Sequence, residues 1–111
     1  MENPEEQTVT VNTLQSLKEG DLYAREIVCR QYETRVRLYI FSLVKSKRIT
    51  DEIVREICTK VWEQRKDIRP ESFDSYVLAL CKDITYRKLV QIFREPTSRE
   101  QLWKDIIALR R

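Results

Sequence analysis

The sequence predicts an all-α protein, a compact bundle of four to five helices, on three observations. Its 111 residues include one Gly and three Pro, too few for the tight turns of a sheet protein. From Ile53 onward, apolar residues come in adjacent pairs every four positions: Ile53/Val54, Ile57/Cys58 and Val61/Trp62. That spacing is an amphipathic helix with a broad buried face. Apolar residues make up 41% of the chain, enough for a single core although 35% of the residues are charged.

Residues 1–12 are acidic and without period, and read as a disordered tail. Residues 13–95 read as the helical domain, and 96–111 as a C-terminal helix or linker. Thr13 is the expected cap of a short helix over 14–19, and Gly20 suits the left-handed position that ends it. Asp21 then caps a long helix over 22–47, whose stripe is Ala24, Val28, Tyr32, Val36, Ile40 and Val44.

Lys45–Arg48 reads as a basic turn, and Thr50 as the cap of a third helix over 51–65. Asp51 and Glu52 would then lie in its first turn, where the helix dipole favours negative charge. A basic connector, Arg65 to Pro70, leads to a fourth helix over 72–93, with Glu71 and Ser72 competing as caps. Phe73, Tyr76/Val77, Leu80 and Ile84 form its buried stripe, which slips to Leu89, Ile92 and Phe93 farther on. Pro96 ends that helix. Thr97 with Glu100, or Ser98 with Gln101, offers a capping box for a last helix over 98–109.

The net charge of +3 hides an asymmetry. Residues 1–21 carry five carboxylates against Lys18 alone, a net of −4, which leaves +7 on the rest. A basic body suits phosphate partners, and the same charges equally suit ordinary solvated helix faces. Cys29, Cys58 and Cys81 are odd in number and form no C-x-x-C pair, and the chain has no His. A metal site is therefore not expected, and the thiols read as reduced core residues of a cytoplasmic protein. No cofactor is expected either. No apolar run reaches the ~18 residues of a membrane span, and the acidic N-terminus has no signal-peptide pattern.

Catalysis finds little chemistry to work with. The commonest general base is missing, and one Gly cannot build a glycine-rich phosphate loop. Binding is the expected mode of action.

Three stretches carry a family pattern. Val54-Arg55-Glu56-Ile57-Cys58-Thr59-Lys60-Val61-Trp62 follows the frame V-Q-E-x-F-x-K-x-W. Ser72-Phe73, Tyr76-Val77 and Leu80-Cys81-Lys82-Asp83 follow S-F-x-x-W-L-x-x-I-A-R-N, and Leu17 through Gly20-Asp21 to Ala24 follows L-x-x-G-D-x-x-A. Over about Leu14–Leu89 the chain resembles region 2, the promoter-melting domain, of bacterial extracytoplasmic-function sigma factors. The family's helix-turn-helix region 4 has no counterpart before Arg111, so the resemblance is to region 2 alone.

The resemblance implies two surfaces. Glu52, Arg55, Glu56 and Lys60 would grip the clamp helices of the largest subunit of RNA polymerase core. Arg65, Lys66, Arg69, Ser72, Tyr76, Lys82, Tyr86, Arg87 and Lys88 would hold the melted −10 element as single-stranded non-template DNA. Such a strand needs cations for phosphate, aromatic rings for stacking and a pocket for a flipped base. An anti-sigma factor is a further implied partner. Four departures stand out: Arg55 for Gln, Cys58 for Phe, Tyr76 for Trp and Asp83 for Asn. Arg55, Asp83 and the only partly basic stretch after Tyr86 favour a second expectation, a helical protein-interaction module that retained the fold and lost promoter activity. A helical bundle unrelated to transcription is the third.

Overall fold

Gly20 sits at φ +89°, the left-handed region where a side chain is strained, and turns the chain out of its first helix. In the computed structural model, which describes residues 11–109, that helix is α1 (Val11–Lys18). Its end is a Schellman motif: Gly20 N–H donates to the Leu17 carbonyl at 3.0 Å and Asp21 N–H to Ser16 at 3.1 Å. Val11 and Asn12 thus belong to a helix rather than to the expected tail, and Thr13 lies inside the helix it was expected to cap. Residues 1–10 of that tail, like Arg110 and Arg111, lie outside the described residues.

Asp21 caps α2 (Leu22–Val44) as expected, its carboxylate accepting from Tyr23 N–H at 2.9 Å. The helix ends three residues early, because Lys45 takes the left-handed conformation at φ 56°. Ser46 then caps α3 (Lys47–Glu63), its hydroxyl accepting from Ile49 N–H at 3.2 Å. The expected cap, Thr50, is instead buried one turn inside and donates back to the Ser46 carbonyl at 2.7 Å. This shift takes Asp51 and Glu52 out of the first turn, so the dipole argument does not apply to them. Each has a cation on another helix instead: Arg37 of α2 for Asp51 and Lys88 for Glu52.

The connector forms two 3-10 turns, Arg65–Asp67 and Pro70–Ser72, pinned between them by the buried Ile68. Then comes α4 (Phe73–Arg94), with Ser72 at the capping position but making no side-chain cap bond. The last helix, α5 (Pro96–Ala108), starts two residues before the expected point. Pro96 fits the first turn, where its missing N–H costs nothing. Neither capping box forms; the Ser98 hydroxyl bonds the Glu95 carboxylate at 3.1 Å.

Packing runs α1 on α2, α2 on α3, α3 on α4 and α4 on α5, with α2 also reaching α4. Five α-helices and no strand make up the described residues, so the all-α expectation holds. Val36, Ile40, Ile53, Ile57, Val61, Val77 and Ile84, from α2, α3 and α4, are buried together in one core. Leu14 and Leu17 close one end, and Leu102 seats α5. Each such side chain contributes roughly 1.5–3 kcal/mol by leaving water. Leu80, expected in that core, is only half-buried at its edge, and Phe93 is exposed. No helix of the described residues is long and apolar enough to cross a membrane.

Candidate functional site

Burying Ile53, Ile57 and Val61 turns the charged positions of α3 outward, toward α4. There Arg55, Glu56, Thr59 and Lys60 face Arg87, Lys88 and Gln91 across an open groove of about 550 Å³. Residues expected on two separate surfaces, polymerase and DNA, therefore share one groove. Lys88 is its inner cation, only 19% exposed, with its ammonium 3.6 Å from Glu52 and 4.0 Å from Glu56. Glu52 is also 3.6 Å from Arg48 one turn earlier.

Most charges at this groove are matched. Lys60 pairs with Glu63 at 3.7 Å and Arg87 with Asp83 at 3.1 Å, both along their own helix. Such exposed pairs contribute only about 0.2–1 kcal/mol each, so a partner can displace them. Arg55 has no carboxylate partner among the described residues; its Nε donates to the Asp51 carbonyl at 3.4 Å. Asp51 meanwhile accepts from Arg37, whose guanidinium pKa these contacts raise, with Asp51 the main cause and Glu33 the second.

The connector presents a different arrangement. Lys66 and Arg69 are exposed, with no ion pair among the described residues, and Ser72 is exposed beside them. Arg65 is turned inward. Its guanidinium lies 4.2 Å from the centre of the Trp62 ring, and Nη1 donates to the Trp62 carbonyl at 2.9 Å. Arg25 approaches the same ring at 5.3 Å. Arg65 therefore anchors the connector to α3 instead of standing free for a phosphate.

Tyr76 is half-buried, its hydroxyl donating to Gln64 and its ring 6.4 Å from Phe73. Burial, and then the Asp67 charge, push its pKa up, so it stays a neutral phenol. Tyr32 and Asp74 make a comparable link from α2 to α4, and burial together with that carboxylate raises the Tyr32 pKa. Tyr86, by contrast, is 70% exposed on the outward face of α4, one turn beyond exposed Lys82. Fourteen residues of helix, about 21 Å, separate it from Ser72 at the connector. The connector and Tyr86 are thus two stations along α4 and not one pocket.

Some pairings escaped the sequence: Arg37–Asp51, Ser46–Asp105, and Cys29 with Cys58, which line one narrow cleft between α2 and α3. A common offset could have found the first and last. In an antiparallel α2–α3 hairpin, partners have residue numbers summing to a near-constant value, 88 for Arg37–Asp51 and 87 for Cys29–Cys58. No group of three His, Cys, Asp or Glu among the described residues could hold a metal ion. Comparison with family models, with curated proteins and with solved structures returned no match.

Proposed function

We propose that the chain acts in transcription initiation by binding, in the manner of a sigma-factor region 2. The outward face of α3, with Arg55, Glu56 and Lys60, docks on the clamp helices of the largest subunit of RNA polymerase core. Lys66, Arg69 and Ser72 at the connector, with Lys82, Tyr86 and Arg87 along α4, track the unstacked non-template strand of the −10 element. This work belongs to the bacterial cytoplasm, and an anti-sigma factor would act by covering the α3 face.

A single observation carries the proposal: α3 buries Ile53, Ile57 and Val61 while presenting a continuous exposed face of alternating charge. Alternating charge suits a protein surface of complementary pattern, which steers encounter and fixes register. The test is capture of core polymerase by the purified chain at low salt. Wild type should bind, and an Arg55→Glu/Lys60→Glu double variant should bind at least tenfold more weakly with an unchanged melting temperature. Absence of wild-type binding would remove the proposal.

A second reading, the interaction module without promoter activity, is favoured by the pairing of Lys88 with Glu52 and Glu56 and of Arg87 with Asp83. Cations already neutralised release fewer counterions on meeting a phosphate chain. Core binding without promoter opening in the reconstituted complex would select this reading.

A further inference from the structure

Cys29 lies on α2 and Cys58 on α3, and two cross-helix contacts bracket them. Four residues before Cys29, Arg25 reaches the ring of Trp62, which lies four residues after Cys58. Beyond the cysteines, Arg37 bonds Asp51, eight residues after Cys29 and seven before Cys58. At 1.5 Å per residue these offsets are about 6 Å on each helix toward Arg25–Trp62, and about 12 and 10.5 Å toward Arg37–Asp51. Both contacts therefore put the two cysteines at the same level of the antiparallel pair.

The side chains also face one another. Both cysteines line the same narrow apolar cleft between the helices, with Val28, Val54, Ile57 and Val61. Both are half-buried, so a small solute can reach them, whereas Cys81 on α4 is buried. The neighbouring Cys58 thiol, and to a lesser degree the Arg25 guanidinium, lower the Cys29 thiol pKa against the opposing effect of burial. The neighbouring Cys29 and burial raise that of Cys58. The Arg25 guanidinium on the same helix favours a thiolate at Cys29, and thiolates are the attacking form.

We propose that Cys29 and Cys58 form a dithiol oxidation site at which a peroxide closes a disulfide between α2 and α3. The Cys29 thiolate attacks one peroxide oxygen, the O–O bond breaks, and the leaving oxygen departs as water or alcohol with the available protons. Cys29 is now a sulfenic acid. The Cys58 sulfur then attacks the Cys29 sulfur; the S–S bond forms, the S–O bond breaks, and a second water leaves. In balance, two thiols and one hydrogen peroxide give one disulfide and two waters. The product staples α2 to α3 across the back of the helix that carries the outward charged face.

The experiment treats the reduced full chain with stoichiometric hydrogen peroxide and maps its peptides without reduction. The expected product is an intramolecular link between the peptides holding Cys29 and Cys58. It should be accompanied by a melting-temperature rise of about 10 °C, because the staple restricts the unfolded chain. A dithiol reductant should reverse both. Cys81→Ser should leave link and shift intact, while Cys29→Ser or Cys58→Ser should remove both. Sulfinic acids on unlinked cysteines, a link through Cys81, or covalent dimers as the main product would overturn the proposal.

Discussion

Ser46 and Asp105, 59 residues apart in the chain, fasten the start of α3 to the flank of α5. The Ser46 hydroxyl donates to the Asp105 carboxylate at 2.7 Å while accepting the Ile49 N–H that it caps. Arg48 at 3.2 Å and Gln101 at 3.2 Å complete the carboxylate's partners. Ser46 is 1% exposed, so its polar atoms depend on these bonds.

Asp105→Ala should therefore cost about 1–3 kcal/mol, and Ser46→Ala a similar amount, since each leaves a polar partner unmatched and the latter also removes a cap. A double-mutant cycle in urea should return a non-additive pair. Burial acts to raise the Asp105 pKa, but the Ser46, Gln101 and Arg48 contacts outweigh it and hold the carboxyl below its ordinary value. A depressed carboxyl stabilises the fold above its unfolded pKa of about 3.9, and that contribution fades as pH falls through the folded value. Protection of α5 amides from hydrogen exchange, taken relative to the intrinsic rate at each pH, should fall at the acid end in wild type. Asp105→Asn should remove that pH dependence.

Ile57 and Leu80 should separate clearly on truncation. Ile57 is buried in the core, and Ile57→Ala should cost about 2–5 kcal/mol through lost burial and a residual cavity. Leu80 is half-buried at the edge, so Leu80→Ala should cost about 1–2 kcal/mol, near the typical single-mutant loss. Chemical denaturation of both variants checks the order.

Charge reversal at Glu52 and Glu56 should not be a silent surface change. Both carboxylates compensate Lys88, and a Glu52→Lys/Glu56→Lys chain would press three ammonium groups together. Stability should fall by about 1–2 kcal/mol, and a third change, Lys88→Glu, should recover part of it. Thermal melts of the double and triple variants measure this before any binding assay is interpreted.

Single-stranded DNA binding should fall steeply with salt and depend on the connector. Lys66→Ala/Arg69→Ala should flatten the log–log salt slope by about 0.7 for each lost phosphate contact. Arg65→Ala should instead lower stability, because that side chain is stacked on Trp62. Tyr86→Ala should weaken strand binding by about 1–3 kcal/mol if the exposed ring stacks on a base. Fluorescence titrations at several salt concentrations separate the three.

The helical class, the order of the helices, the buried stripe of α2 and the Gly20–Asp21 junction were legible in the sequence alone. Each depends on spacing or cap chemistry within a few residues: Ala24, Val28, Val36, Ile40 and Val44 are buried, Tyr32 of the same stripe is half-buried against the core, and Asp21 does cap α2. The exposure of Tyr86, off the main stripe of α4, follows from the same periodicity. Only the tertiary structure decided which of two hydroxyls would begin α3. Ser46 and Thr50 are equivalent caps locally, and Asp105, arriving from α5, gives Ser46 a second partner. It also decided that Lys88 lies between Glu52 and Glu56, that Arg65 covers Trp62, and that Cys29 and Cys58 share one cleft. Those pairings depend on the rotation and axial register of one helix against another. Periodicity along a single helix says which face is buried, but not which residue of a neighbour that face will meet.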